Sequence, residues 1–241
     1  MFGRRRSAGN RDLDEVTVAE ETSAGEAQGP QIGPWDVTDA HPELPRVDLG
    51  SLLVPVLEGT DIQLVFAEQH GAWVTVRHQL SEMQLQAFAA PKRSGLWDDV
   101  RGEIATEIAG TGGQSAEREG PFGTELLAQV PAEPGQPGSG VRPLRFVGVD
   151  GPRWFLRALL AGAAAADPAA AAPLEAVFSQ VVVVRGDQPM PPRDLLELRL
   201  PAEAAAALEE QARAQQEEQQ QNRFGTVPNP FERGPEMTET R

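Results

Sequence analysis

The chain has 241 residues, 40% of them hydrophobic, enough apolar material to bury a sizeable core and to exclude a wholly disordered polypeptide. Acidic residues outnumber basic ones by 36 to 21, and the net charge of −15 argues against general affinity for nucleic-acid backbones or anionic lipid unless basic residues cluster locally. The absence of cysteine removes disulfides, thiolate nucleophiles and zinc ribbons together.

Arg4, Arg5, Arg6 and Arg11 have the charge of a signal-peptide n-region, but Asp12, Asp14 and Glu15 follow where an apolar stretch should be. The longest apolar run, 158–166, is far short of the roughly 20 residues of a membrane helix. The reading is a cytoplasmic protein without a membrane segment. Residues 1–30 hold only Phe2, Leu13, Val16 and Val18 as large apolar side chains and are expected to form a disordered acidic tail. Residues 31–201 are read as one domain. Residues 202–241 form an Ala/Glu/Gln-rich tail, helical or disordered, in which a helix polar all round either frays or waits for a partner.

Within the domain, 51–56 is a short strand whose Pro55 suggests an edge position. The runs 61–66 and 72–78 form a hairpin through Glu68-Gln69-His70-Gly71, and 83–89 puts Met83, Leu85, Ala87 and Ala89 on one face with Gln84 and Gln86 on the other. Four antiparallel strands are the economical arrangement. Trp97, Val100, Ile104 and Ile108 then recur at helical spacing, with Ser94 or Gly95 as cap, Asp98 and Asp99 in the first turn and Gly110 at the end. Thr111-Gly112-Gly113 is a loop leading to a strand at 125–130, followed by a flexible Pro/Gly loop at 131–140 and a strand at 143–149. Asp150-Gly151 turns the chain, and Pro152 suits the first position of a helix running to Ala161 and stopping at Gly162. A short helix at 174–178 leads into a buried strand at 181–184, and 195–200 reads as a last strand whose leucines also suit a helix. The sum is an α+β fold with a mainly antiparallel sheet and two or three packed helices.

Chemistry is easier to exclude than to assign. Lys92 follows Pro91 where a phosphate-binding loop needs glycine, and Gly110-Thr111-Gly112-Gly113-Gln114-Ser115 has Ser115 at the third glycine position of a dinucleotide fingerprint and follows a helix. No G-x-S-x-G elbow occurs, and His41, His70 and His78 have no metal-ligand spacing. No catalytic residue, metal or cofactor is indicated. The charge of Asp98 and Asp99 complements the positive end of the helix they open.

One local feature runs against the acidic background. Arg142, Arg145, Arg153 and Arg157 surround the single acid Asp150, with Trp154 as a flat anchor. Read on a helix, Arg153 and Arg157 share a face near the N-terminus, where the dipole disfavours cations, so something acidic must offset them. One reading is a binding site for an anion or an acidic partner, formed by Arg142, Arg145, Asp150, Arg153, Trp154 and Arg157. The other is internal pairing with core carboxylates.

The runs Gly33-Pro34-Trp35-Asp36-Val37, Val47-Asp48-Leu49-Gly50-Ser51-Leu52, Ala87-Phe88-Ala89-Ala90-Pro91, Leu96-Trp97-Asp98-Asp99-Val100-Arg101, Glu119-Gly120-Pro121-Phe122-Gly123, Val181-Val182-Val183-Val184-Arg185-Gly186 and, above all, Gly148-Val149-Asp150-Gly151-Pro152-Arg153-Trp154-Phe155-Leu156-Arg157 resemble those of an actinobacterial family of unknown function. The resemblance spans about residues 33–201. It implies one conserved domain with variable tails, often encoded near a deoxyuridine-triphosphate pyrophosphatase, and carries no catalytic residues. The functional expectation is a non-enzymatic binding or adaptor protein acting through a core surface near Arg153 and Arg157, with a protein as partner or a small anionic ligand. Nucleic acid is disfavoured. The alternative is a carboxylate-based hydrolase or isomerase, which needs no short motif but does need a pocket in the core.

Overall fold

The computed structural model describes residues 32–68, 71–92, 95–132, 140–207, 210–211 and 213–215. The expected N-terminal tail, the tip of the 131–140 loop, Ser94 and the end of the C-terminal tail lie outside these residues. Strands β1 (Trp35–Asp36), β2 (Arg46–Asp48) and β3 (Leu52–Pro55) come first. The meander β4 (Asp61–Ala67), β5 (Gly71–His78) and β6 (Ser81–Ala89) leads into helix α1 (Trp97–Gly110). A second meander follows: β7 (Gln114–Gly120), β8 (Gly123–Pro131), β9 (Val141–Gly151) and β10 (Trp154–Gly162). Helix α2 (Pro168–Ser179) and β11 (Val182–Val183) complete the regular elements, with a further helical stretch at 202–207.

The two meanders join at β6 and β10, giving a seven-stranded antiparallel sheet of order β4-β5-β6-β10-β9-β8-β7. The shorter strands form a second sheet, β1-β11-β3-β2, in which only β1 and β11 run parallel. Together with the packed helices this is an α+β fold.

Alternation along the central strands divides the core. On one face Met83, Leu85, Leu156, Ala158 and Leu160 meet Leu174, Val177 and Phe178 of α2 and Leu52, Val54 and Val183 of the small sheet. On the other face Phe146, Leu126 and Phe155 meet Trp97, Ile104 and Ile108 of α1. β6 shows the expected period of two over its whole length, odd-numbered residues buried and even-numbered ones half-buried.

The segment expected to be a helix from Pro152 to Ala161 is the strand β10, paired with β9 on one side and β6 on the other. Because it is inner and covered on both faces, apolar residues occupy both of its sides, and such a run lacks the alternation by which a strand is recognised. Pro152 opens a turn rather than a helix. Register pairs Trp154 with Gly151, leaving Pro152 and Arg153 as a two-residue loop with Arg153 at φ 63°.

Further expectations are corrected by the same logic of pairing. β7 has no counterpart among the expected elements, which pass from the loop at Thr111-Gly112-Gly113 to a strand at 125–130, and its residues Gln114-Ser115-Ala116-Glu117-Arg118-Glu119-Gly120 include no large apolar side chain. As an edge strand it needs none, and its charges oppose further strand addition. β3 is inner, not an edge, and belongs to the small sheet rather than to a group with β4–β6. Pro55 lies at its tip, beyond the two residues that pair with β11. The 195–200 segment is not a continuous strand: isolated bridges tie Leu195 to Phe88 and Leu198 to Gly50, so it staples one sheet to the other. α2 begins at Pro168, six residues before the expected start at Leu174, with the Asp167 carboxylate accepting from Ala169 N at 2.9 Å.

The start of α1 is also capped differently than its neighbours in sequence imply. Leu96 occupies the cap position and makes no side-chain bond there. Asp150, 54 residues later, supplies the acceptor: its Oδ1 takes Leu96 N at 2.6 Å and its Oδ2 takes Trp97 N at 3.1 Å. A Cβ on Gly95 would overlap this carboxylate. Asp150→Ala therefore removes a cap from across the sheet, and chemical denaturation should show a loss of about 1 kcal/mol, whereas Asp98→Ala should cost less.

Candidate functional site

The arginines gathered in sequence are distributed by β9 and β10 to different environments. Arg145 points to the α2 face and is 2% exposed. Its Nε donates to Glu125 Oε2 at 2.7 Å, one terminal nitrogen to Glu125 Oε1 at 2.6 Å, and the other lies 2.6 Å from Glu175 of α2. Burial works to lower the arginine's pKa, but the bonds and charges of Glu125 and Glu175 outweigh it and hold the pKa above its ordinary value. Arg118 of β7 adds a contact to Glu125 at 3.1 Å. Gly120 leaves the space: a Cβ there would overlap the Glu125 carboxylate. This network joins β7, β8, β9 and α2.

Trp154 is buried on the same face and its Nε1 donates to Asp36 Oδ2 at 2.7 Å, tying β10 to β1. Asp36 Oδ1 also accepts from Thr38 N at 2.9 Å and Thr38 Oγ1 at 2.6 Å. Burial favours the neutral acid, yet these hydrogen bonds and the Arg153 charge together hold the Asp36 carboxyl below the ordinary 3.8. Arg153 leaves the strand alternation at its positive φ and reaches toward the Gly186 carbonyl at 3.4 Å and Asp187 at 3.9 Å. Arg142 is exposed at the open end of β9. Arg153 and Arg157 thus have separate partners rather than one helical face.

Asp150 caps α1, and Arg157 faces the same side of the sheet, among aromatic rings. Trp97, Phe155 and Phe88 form a continuous stack, with centroids 5.9 and 5.8 Å apart. Gly148 makes room for it, since a Cβ there would overlap both Trp97 and Phe155. The Trp97 indole is anchored by donation to Thr124 O at 2.6 Å. Arg101 lies over Trp97 at one end, bonded to Asp98 and Glu117; Arg157 lies over Phe88 at the other, 5.4 Å from the ring centroid. Arg157 donates to the neutral Gln86 Oε1. Among the described residues no carboxylate lies within ion-pair distance of it. Burial pushes its pKa below the ordinary arginine value, with the more distant Glu107 charge opposing this.

Beside Arg157 is a cavity of about 190 Å³, walled by Phe88, Leu96, Val100 and Phe155. Glu103 and Arg193 also line it, paired at 2.8 Å, and Arg193 has φ 74°. Arg193, Glu103 and Phe88 were not among the residues singled out from sequence. Arg193 is 36 residues from Arg157 and comes near only because the 193–196 backbone pairs with the end of β6. Among the described residues no group of three or more histidine, aspartate or glutamate side chains is placed to hold a metal ion. No helix there is long and apolar enough to cross a membrane.

These features define a class: an α+β domain with one antiparallel sheet between α1 and an α2-plus-small-sheet layer, carrying an arginine-floored apolar cavity under α1. The chain belongs to the family described as protein of unknown function (DUF3710), which matches residues 33–207. No curated protein and no solved structure gives a match.

Two outcomes follow from the buried groups. Arg145→Met strips the buried Glu125 carboxyl of its two shortest bonds and leaves it the contact of Arg118, and urea unfolding should show a loss of about 3 kcal/mol. Asp36 has a depressed carboxyl in the folded state, so its contribution is present above the unfolded carboxylate value and is lost as pH falls through the folded one. Stability measured from neutral pH into the acid range should therefore fall less steeply in Asp36→Asn than in the parent chain.

Proposed function

We propose that the chain is a binding protein that takes an acidic group of a protein partner into the cavity beside Arg157. The observation that carries this reading is a guanidinium held over Phe88 and bonded only to a neutral glutamine, next to open space. A half-buried cation whose nearest opposing charge, Glu107, lies beyond ion-pair distance is poorly compensated, and a carboxylate entering the cavity would supply a closer partner. The walls match an apolar stem: Leu96, Val100 and Phe155 line the way to Arg157. Arg193 at the rim can turn from Glu103 toward the same carboxylate.

Size favours a partner's side group over a free metabolite. A volume of about 190 Å³ is below the roughly 300–1,000 Å³ of small-molecule pockets and suits one anchoring side chain or chain end. Anchors of this kind, buried at the centre of a patch, carry most of the energy of a protein interface.

The test uses the full chain and hexanoate, a carboxylate on an apolar stem, with hexanol as its neutral counterpart. Calorimetry should detect hexanoate and not hexanol, and Arg157→Gln should weaken hexanoate at least about tenfold while melting no lower than the parent. Equal binding of both probes, or hexanoate binding untouched by Arg157→Gln, overturns the reading.

A further inference from the structure

We propose that a second cleft, at the end of the small sheet where β11 leaves and β3 begins, binds the phosphoryl group of a small molecule. It lies where three segments meet: the Gly50-Ser51 corner before β3, the 184–190 loop after β11, and the 196–199 stretch. These are tied to one another, Val184 N donating to Ser51 O at 2.9 Å and Gly50 bridging to Leu198. The volume is about 580 Å³, within the range of small-molecule sites and about three times that of the cavity beside Arg157.

Two buried donors among the residues lining this cleft have no hydrogen-bond partner in the described protein: the Ser51 hydroxyl, on a residue 7% exposed, and Nε of Arg185. Leaving a buried donor unmet is unfavourable, and native proteins rarely place two together without a use. One terminal nitrogen of Arg185 donates to Gln188 O at 3.0 Å and, at a marginal 3.4 Å, to Gly186 O, and among the described residues no carboxylate lies within ion-pair distance of the guanidinium. The marginal contact is the one that yields when the side chain turns to a ligand.

The other charges nearby are accounted for. Arg199 and Glu197 pair at 3.1 Å on the exposed rim, and Arg153 meets the loop from outside at Gly186 and Asp187. The cleft therefore keeps one cation in excess, at Arg185. The donors, Ser51 Oγ–H, Arg185 Nε–H and, once it leaves Glu197, the Arg199 guanidinium, come from three separate segments, and the three oxygens of a phosphoryl group, spread about a tetrahedral phosphorus, can meet donors from three directions, whereas the two oxygens of a carboxylate lie in one plane. Met190 and Leu196 provide an apolar wall for the organic part.

The experiment is thermal melting of the full chain at fixed ionic strength, with phenyl phosphate as probe, inorganic phosphate as the bare group and acetate as the carboxylate control. A saturable rise in melting temperature is expected with phenyl phosphate, a weaker one with phosphate and none with acetate. Ser51→Ala and Arg185→Gln should each weaken the response at least about tenfold, and Ser51→Ala, which deletes an unbonded hydroxyl, should melt no lower unliganded. Arg157→Gln should leave the response intact, so this site can fail or stand independently of the one beside Arg157. A rise that does not saturate, that acetate reproduces, or that survives both Ser51→Ala and Arg185→Gln overturns the proposal.

Discussion

Arg145 and Glu125 are both out of water, and a charge pair so placed holds its surroundings to one geometry because every displacement exposes an unmatched charge to a poor solvent. Around it, β8 must run beside β9 in the register that sets Leu127 opposite Arg145, and α2 must present Glu175 from above. β7 supplies Arg118 to the same carboxylate, and at its turn Gly120 leaves the space that carboxylate fills. Phe122, in that turn, packs edge-on against Phe178 of α2 with centroids 4.7 Å apart. The outer half of the large sheet and the α2 layer are thereby joined through polar groups as well as through apolar packing.

The same account explains why the segment from Gly148 to Arg157 carries so much of the chain's character. Gly148 clears the aromatic stack, Asp150 caps α1, Pro152 and Arg153 make the turn, and Trp154 binds Asp36. Phe155 extends the stack, Leu156 fills the opposite face and Arg157 closes the stack's end. Most of this segment is therefore occupied in holding two sheets and a helix together. Arg157 is the member whose chemistry stays incompletely used.

What could be read from sequence follows physical lines. β6 and α1 were legible because each buries one side, and a one-sided element announces its period. β10 was not, because both of its faces are covered; nor was β7, because an exposed edge strand has no face to mark. The arginine cluster is visible in sequence as a charge anomaly, which fits internal pairing as well as binding. Pairing accounts for Arg145 in full. The companions of Arg157, namely Gln86, Phe88 and Arg193, are brought in by strand register and by the 193–196 crossing, and no local pattern in sequence encodes either. Ser51 and Arg185 are farther apart still along the chain, and the pairing of β3 with β11 makes them neighbours.

The guanidinium groups divide the labour between structure and binding, and the arginine Nε–H NMR spectrum of the full chain, assigned by single substitutions and titrated with a carboxylate, measures that division directly. The account predicts that the Arg145 resonance is protected from solvent exchange and does not move, while that of Arg157 shifts saturably. An Arg145 signal that exchanges freely and shifts with the carboxylate, beside an Arg157 signal that stays still, would contradict it.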